Sequence, residues 1–441
     1  MSPPELVFLA VCDLGAITRG RAVLASELQD HLGAGVGWVP ANSALTPLGP
    51  LAEPNPFGPV GDLRLLPDPE THARVGSPPH DAPLELVLCD IVETDGRPWS
   101  CCPRTFLKNA LATLREQAGA AVTASFEHEF QLLRGEQDDP RPPFSLAALR
   151  AAEPFASTLM GALAEAGTEP ERLFPEFAAH QFEVPVVPAP GLESADRSVL
   201  LRAVVHEIAR REGLRATFVP LLDPAEAGNG VHIHISLQDE DGTALLHDPA
   251  APSGLSELGG RFAAGVLAHA GALSALCAPS PVSAERLRPH RWSAGAVCLA
   301  DRNREALLRI PPTVTLAGGG DAAPAQMRLE FRGADAAANP YLALGAVVLA
   351  GLDGIRRELP APPILDRDPA QLDEEQARRF GVGAMPESLQ ASLDALAQDT
   401  EARSWLQPLL LDAYTSLKRS ELSAIAELPL EEACRRYAAV Y

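Results

Sequence analysis

This chain has no cysteine framework. Its seven cysteines include no CxxC pair, and Cys101-Cys102 is not a zinc spacing. An odd, unpatterned set in a chain this long reads as reduced, packing cysteines of a cytoplasmic protein. Basic residues are also scarce. Lys and Arg total 36 against 58 Asp and Glu, a net charge of −22, which argues against a nucleic-acid partner because polyphosphate backbones need a basic surface. A small phosphate ligand held by a few buried arginines stays compatible with that balance. No apolar run approaches the roughly 20 residues that cross a bilayer, so no membrane partner is expected. The N-terminus lacks a basic start followed by a long apolar stretch, so no secretory signal is expected. There is no GxxxxGK[ST] loop and no kinase signature set. Any ATP site must therefore be of another kind.

What is present is bulk and punctuation. The 441 residues are 46% hydrophobic, enough for a large core, and length suggests two or more domains. The 42 prolines and 34 glycines imply many turns. Residues 1 to about 100 read as short strands (LVFLAVCDL, RGRAVL, LRLLPD, LELVLCDIV), with a Pro- and Gly-rich loop from Pro40 to Pro59. At Pro103 the pattern turns helical and ends on Gly119, sensible punctuation for a helix. The strand VTASFEHEFQLL follows, then helices near 146–166 and 195–212, strands near 215–219 and 231–237, a helix over roughly 254–277, and helical periodicity from about 386 onward. The expected class is α+β: a small N-terminal domain, 1–102, and a large C-terminal one, 103–441.

Four short motifs carry the chemistry. They are Glu127-His128-Glu129, the stretch EFAAHQFE from Glu176 to Glu183, NGVHIHIS from Asn229 to Ser236, and RLEFR from Arg328 to Arg332. In a strand, residues two apart share a face. Glu127 and Glu129 therefore point together, as do His232, His234 and Ser236, and as do Arg328, Glu330 and Arg332. Carboxylates with one imidazole suit Mg2+ or Mn2+ better than zinc. Six ligands exceed one such ion's need, so two or three ions are expected. Arg286, Arg302, Arg304, Arg309, Arg328 and Arg332 add guanidinium forks that match phosphate and carboxylate oxygens. Cations plus arginines are what phosphoryl transfer requires, because catalysis there is mostly positioning and charge neutralisation. Each motif alone has an ordinary reading: a solvated strand face, a structural histidine pair, a surface ion-pair ladder, an exposed turn at Arg302-Asn303-Arg304. A two-metal hydrolase would also satisfy these residue types.

In their order along the chain these motifs resemble the glutamine synthetase superfamily, and the likeness runs over nearly the whole sequence. CDLGAITRGRAV and GDLRLLPD resemble its β-grasp domain, CDIVETDGRPWSCCPRTFL the junction into its catalytic domain, and RNREALLRIP and ADAAANPYLALGAVVLAGLDGI its signatures. The resemblance implies an N-terminal β-grasp domain followed by a catalytic domain with a curved antiparallel sheet and helices. It implies that Glu129, Glu176 and Glu183 hold a first metal and that Glu127, His232 and Glu330 hold a second. Asn229, Gly230, Arg286 and Arg332 match glutamate-holding positions. His234, Ser236, Arg309 and Arg328 match nucleotide contacts, with Glu171 added by its offset from Glu176. Arg304 matches the arginine that neutralises the transferring phosphoryl group, and Arg286 and Arg304 are the implied catalytic residues. The implied reaction uses ATP as co-substrate to make a γ-glutamyl phosphate, which an amine then converts to an amide. The implied assembly is a ring of six subunits, stacked into a dodecamer, with sites between subunits.

The departures from that family cluster at the amine end. Where true glutamine synthetases carry an acidic loop residue, five positions after Arg286-Leu287, this chain has Trp292. Their aspartate-bearing N-terminal loop corresponds to NSALTPLGPL, which has no acid. Two charges that attract and deprotonate ammonium are thus missing, and a desolvated ammonium would lack a compensating carboxylate. An aromatic there suits an amine with a carbon body, its cationic end held by a cation–π contact of roughly 0.5–2 kcal/mol; Trp292 could equally prop its loop. Other differences are Ala178 to Gln181 in place of GPGQ, Val282 and Glu285 in the NSYKRL loop, and Leu221 where a lysine is usual. The expected function is an ATP-dependent γ-glutamyl–amine ligase acting on a polyamine or small alkylamine. The alternatives are an ammonia-using glutamine synthetase and a non-catalytic binding scaffold.

Overall fold

The structure, a computed structural model, describes residues 4–76, 81–133, 141–291, 293–314, 316 and 322–441. Two sheets organise it. In the first, the hairpin Leu6–Cys12 and Thr18–Leu24 places Leu9 opposite Arg21, and Leu84–Glu93 then runs parallel to Leu6–Cys12, with Val87 beside Leu9. Leu63–Pro67 and Val36–Trp38 extend this sheet antiparallel, as β-grasp expectations require. Leu63–Pro67 alternates buried and half-buried residues, the period-two signature of a strand with one covered face, whereas Leu6–Cys12 and Leu84–Glu93 are buried over most of their length. The expected loop after Pro40 carries a short 3-10 turn, Pro40–Ala44, and rests against the helix Pro408–Ile425, where Glu53 N donates to Ser420 Oγ at 2.9 Å.

The second sheet has eleven strands among the described residues and is mostly antiparallel. Its exceptions are Ala296–Asp301, which runs parallel to Ala306–Ile310 and to Ile364–Leu365. Its centre is the long strand Ala121–Leu133, flanked by Val231–Gln238 on one side and by Gln181–Val184 on the other. Helices Pro103–Ala118, Gly191–Arg211 and Pro340–Arg356 bury their apolar faces behind it. A buried arginine joins the two parts of the chain. Arg104 donates to Asp196 at 2.9 and 2.8 Å, to Asp68 at 2.7 Å and to Asp90 at 3.2 Å, while Tyr341 Oη donates to Asp196 at 2.7 Å.

Two helices differ from expectation. The stretch 146–166 is Leu146–Ala151 and Phe155–Glu165, interrupted at Pro154, which lacks an N–H and disfavours helix in the residue before it. The stretch 254–277 is Glu257–Ala268 and Ala270–Cys277, meeting at 74° on His269. That histidine is pinned between Asp399 (2.6 Å) and Asp353 (3.0 Å), a tertiary clamp that helical periodicity does not reveal. No single helix among the described residues is long and apolar enough to cross a membrane.

Candidate active site

Strand register brings most of the motifs together. On Ala121–Leu133, Glu127 and Glu129 face one side, while His128 between them turns inward to Ser198, Nε2 to Oγ 2.7 Å. His232 on Val231–Gln238 stands opposite Glu127. His234 stands opposite Glu330 on the strand Leu329–Ala334, and Glu183 on Gln181–Val184 stands opposite Glu129. Glu176 comes from the loop before Gln181, its N–H held by the Gln181 carbonyl at 2.8 Å.

The distances follow. His232 Nδ1 is 3.4 Å from Glu127 and 4.0 Å from Glu330, and its Nε2 is 4.0 Å from Glu129. His234 Nε2 lies 3.0 Å from Glu127 Oε1. Two triads offer ligand atoms within 4.8 Å of one another: Glu127, Glu183 and His232; and Glu127, His234 and Glu330. Both share Glu127. They cut across the two ligand sets that the resemblance implies, and they bring in His234, expected as a nucleotide contact.

Electrostatics show a site strained for want of positive charge on one side. Burial, then the carboxylates of Glu127, Glu129 and Glu176, push Glu183 well above the ordinary carboxyl range. Burial and Glu129 raise Glu176 to about 7. On the other side, burial also opposes the charge on Glu330, but Arg332, both histidines and Arg309 outweigh it and hold it at about 2. Arg309 Nη1 donates to Glu330 at 2.6 Å and Arg332 Nη1 bonds its other oxygen. Burial disfavours a charged Glu127 as well, yet the facing His234 and His232 hold it well below the usual range. Burial and Arg332 push His232 down, so its imidazole is neutral and keeps a lone pair. His234 Nδ1 accepts from Arg328 Nε at 3.1 Å, which places the ring proton on Nε2, 3.0 Å from Glu127 Oε1. Crowded, partly neutralised carboxylates beside a neutral imidazole fit a hard divalent cation. Glu127, Glu129, Glu176, Glu183, His232 and Glu330 are the residues that could hold such ions.

Beside Glu127 opens a cavity of about 400 Å³ lined by Glu171, His234, Ser236, Gln326 and Arg328 among others. Four of the five expected nucleotide contacts line it. Arg309 does not, being turned to Glu330. Ser236 Oγ donates to the Met327 carbonyl at 2.9 Å, and Arg328 Nη1 to that of Gln326 at 3.0 Å, so the cavity wall is held by the segment that leads into the strand bearing Glu330.

On the other side of the acidic cluster lie the expected glutamate contacts. Gly230 N donates to Glu129 Oε2 at 2.7 Å. A side chain on Gly230 would come within 3.1 Å of Arg286 Nη1 and 3.3 Å of His232 Nε2, so glycine leaves the approach to both open. Arg286 is fully buried, and its Nη2 donates to the Ala334 carbonyl at 2.7 Å. Asn229 is buried and fully engaged, donating to Val219 O at 2.8 Å and Gln131 Oε1 at 3.2 Å while accepting from Gln181 at 3.0 Å. It shapes this pocket through its neighbours. Arg332 Nε donates to the Arg304 carbonyl at 3.0 Å. Arg304 itself is exposed, close enough that its charge acts on Glu176. Arg302 is exposed and pairs with Asp301 at 3.1 Å, outside the cluster. Trp292 lies outside the described residues. The loop on either side of it is anchored: Arg291 donates to the Glu226 and Pro224 carbonyls at 2.9 and 2.7 Å, and Ser293 Oγ to the Arg286 carbonyl at 2.6 Å.

Sequence reasoning passed over one organiser. Gln181 donates to Gly228 O at 2.9 Å, Asn229 Oδ1 at 3.0 Å and Glu129 Oε2 at 3.3 Å, and accepts from Ala178 N at 2.9 Å. Its two-residue spacing from Glu183 placed it on the ligand face and was the available signal.

The chain matches known proteins over most of its length. A family model described as the glutamine synthetase catalytic domain matches residues 100–437, and one described as the glutamine synthetase N-terminal domain matches residues 1–99. A gamma-glutamylpolyamine synthetase of Streptomyces coelicolor, GlnA3, is 36% identical over 430 residues, 96% of this chain and 90% of that protein. The glutamine synthetase of Halobacterium salinarum is 33% identical over 369 residues, 82% of this chain and 79% of that protein. Among solved structures, a novel glutamine synthase homolog superposes with a TM-score of 0.92 at 45% identity, covering 100% of this chain and 99% of the other. An ADP complex of GmaS superposes at 0.81 with 27% identity, covering 98% and 96%.

Proposed function

The chain belongs to the glutamine synthetase family, whose members are ATP- and divalent-metal-dependent carbon–nitrogen ligases, and from that premise we propose that it joins the γ-carboxylate of glutamate to a polyamine or small alkylamine. The observation that carries the reading is the meeting of six carboxylate and imidazole groups around Glu127, with a nucleotide-sized cavity on one side and a buried arginine on the other.

The roles divide by place. Glu127, Glu129, Glu176, Glu183, His232 and Glu330 hold two to three Mg2+ or Mn2+ ions, which when bound neutralise phosphate charge. Glu171, His234, Ser236, Arg309 and Arg328 orient ATP. Arg286, Arg332, Gly230 and Asn229 fix glutamate so that its γ-carboxylate oxygen attacks the terminal phosphorus. ADP leaves, and the product is γ-glutamyl phosphate. Arg304, exposed and mobile in principle as any long surface side chain is, meets the transferring group. The amine nitrogen then attacks the acyl carbon, phosphate departs and the amide forms after loss of the amine's proton. Holding both partners makes each step effectively intramolecular. Domains 1–102 and 103–441 assemble as a dodecamer with sites between subunits.

Two features support a carbon-bearing amine over ammonia: Trp292 where an acid is usual, and the acid-free NSALTPLGPL. The likeness to a gamma-glutamylpolyamine synthetase points the same way. Amine-dependent phosphate release should be compared across ammonium, methylamine, ethanolamine, putrescine and spermidine, with the amide identified by mass. A carbon-bearing amine should lead. Ammonium leading at equal concentration refutes the amine assignment, and nucleotide binding without turnover on any amine refutes the ligase. Trp292→Glu should move the preference toward ammonium; an unchanged profile removes Trp292 from the site.

A further inference from the structure

The loop after Arg286 is held at three points. Its base is closed by Ser293 Oγ, which donates to the Arg286 carbonyl at 2.6 Å, and by a close approach at Gly295, where a Cβ would come within 2.9 Å of Pro289 Cα. A second hold is His290, whose N–H donates to Glu305 Oε2 at 3.0 Å. Its backbone sits at φ 63°, a left-handed conformation that a non-glycine residue keeps only where its surroundings impose it. The third point is Arg291. Its Nη1 donates to the Glu226 carbonyl at 2.9 Å and its Nη2 to the Pro224 carbonyl at 2.7 Å. Both arms of one planar guanidinium thus grip a single turn, Asp223 to Glu226.

That turn is itself a junction. Asp223 closes it: Ala225 N donates to Asp223 Oδ1 at 2.8 Å and Glu226 N to the Asp223 carbonyl at 3.0 Å. The Glu226 side chain accepts from Ala179 N at 3.0 Å, a second hold on the loop between Glu176 and Gln181 besides the bond from Gln181 to Gly228 O at 2.9 Å. Just past the turn, Gly228 packs so closely that a Cβ would fall 2.1 Å from the Pro220 carbonyl oxygen and 2.7 Å from Arg286 Cγ. The segment 223–228 therefore meets Arg286, the loop bearing Glu176 and the loop after Arg286. Those two loops, with AAHQ and RPHRW, are where the sequence departs from glutamine synthetases. One turn joins them.

We propose that Arg291 is a positioning residue for amine choice: its fork onto the turn Asp223 to Glu226 fixes the loop after Arg286 against the segment that also meets Arg286 and the Glu176 loop. This rests on the ligase reading and deepens it, because the bonds of Arg291 go to the protein's own backbone and not to a reacting group. Arg291→Ala removes both arms, whereas Arg291→Lys keeps the charge and can reach one carbonyl. With the amine that turns over fastest, steady-state kinetics on the full chain should show the amine KM raised about ten-fold or more by Arg291→Ala, the scale of lost hydrogen bonds from a charged donor. Arg291→Lys should raise it less, and the ATP KM should stay within two-fold of wild type. Glu226→Ala should also raise the amine KM, and the double variant should be non-additive, because both side chains act through one turn. A wild-type amine KM in Arg291→Ala, equal rises in the amine and ATP KM, or additive effects would overturn the proposal. If Arg291→Ala does not fold, Arg291→Lys carries the test, and a wild-type amine KM there overturns it. Hydrogen exchange read by mass spectrometry needs no turnover and separates the two levels. Peptides over 287–295 should exchange about ten-fold faster in Arg291→Ala, and those over 121–133 at the wild-type rate. Wild type that makes no amide with any amine sinks the ligase reading, while faster exchange confined to 287–295 still supports the anchor; unchanged exchange there overturns the proposal whatever the turnover.

Discussion

Adding Mg2+ to cation-free protein should expel protons, and the number can be worked from the site. A carboxylate must be deprotonated to bind a metal, so any ligand that holds a proton beforehand releases it. Glu176, at about 7, is half protonated at pH 7, and Glu183 is pushed in the same direction by burial and its neighbouring carboxylates. Glu127 and Glu330 are held low and His232 is neutral, so they contribute nothing. Glu176 alone should therefore release about half a proton per chain at pH 7, approaching one at pH 5.5 and close to none at pH 8.5, and Glu183 adds to the release in the same direction. Isothermal titration in PIPES, HEPES and Tris reads this as the slope of observed heat against buffer ionisation enthalpy. A slope of zero at pH 7, or one that does not decline with pH, refutes the crowded-carboxylate account.

The same groups set the stability of the cation-free protein. Their folded pKa values are raised, so the folded state holds protons that the unfolded chain gives up between its ordinary carboxyl value of 4.5 and the folded value. Stability is full below that window and falls as pH rises through it. Glu176 alone accounts for about 3 kcal/mol lost by pH 8. Mg2+ at about 100 times its Kd should restore about 2.7 kcal/mol. Thermal unfolding at pH 5.5 and pH 8, with and without Mg2+, checks the sign; a cation-free protein more stable at pH 8 contradicts it.

Glu330→Ala should abolish ATP-dependent turnover and cost about 3–5 kcal/mol in urea unfolding, because it strands the buried Arg332 and the half-buried Arg309 beside it; near-normal turnover would mean that the site lies elsewhere. Lys418 and Glu421 are both fully buried, with Tyr437 Oη on Glu421 at 2.9 Å. Glu421→Gln alone should cost about 3–5 kcal/mol by urea unfolding, and Lys418→Met added to it should recover most of that; additive losses would show that the pair is not coupled.

The cluster was legible because its chemistry constrains both residue type and spacing. Glu127 with Glu129, His232 with His234, and Glu330 between two arginines are period-two patterns on strands, and antiparallel register alone sets Glu127 against His232 and Glu129 against Glu183. Sheet order was less legible, since which strand neighbours which depends on crossovers through helices that no local pattern encodes. The His269 bend and the Pro154 break show the same limit from opposite sides. Proline is written in the chain and its break could be read there, whereas the Asp353 and Asp399 partners of His269 arrive from 84 and 130 residues away.

Second-layer residues were the least legible, for a reason that bears on how this site works. Gln181 has no recurring partner at strand or helix spacing, and it acts by satisfying groups that something else has buried. Gln181 joins Glu129, Gly228 and Asn229 across three chain segments. Such residues are selected by what the first layer leaves unpaired, so they can be found only after that layer has been placed. The amine end falls on the same side of the divide. Its signal in the sequence is the loss of acids at two loops, and absent charge excludes a small cation without naming the amine that replaces it. Under the proposed function, discrimination between ammonium and a longer amine would depend on the loop anchored by Ser293 on the Arg286 carbonyl as much as on Trp292, because an aromatic contact helps only where its loop is held.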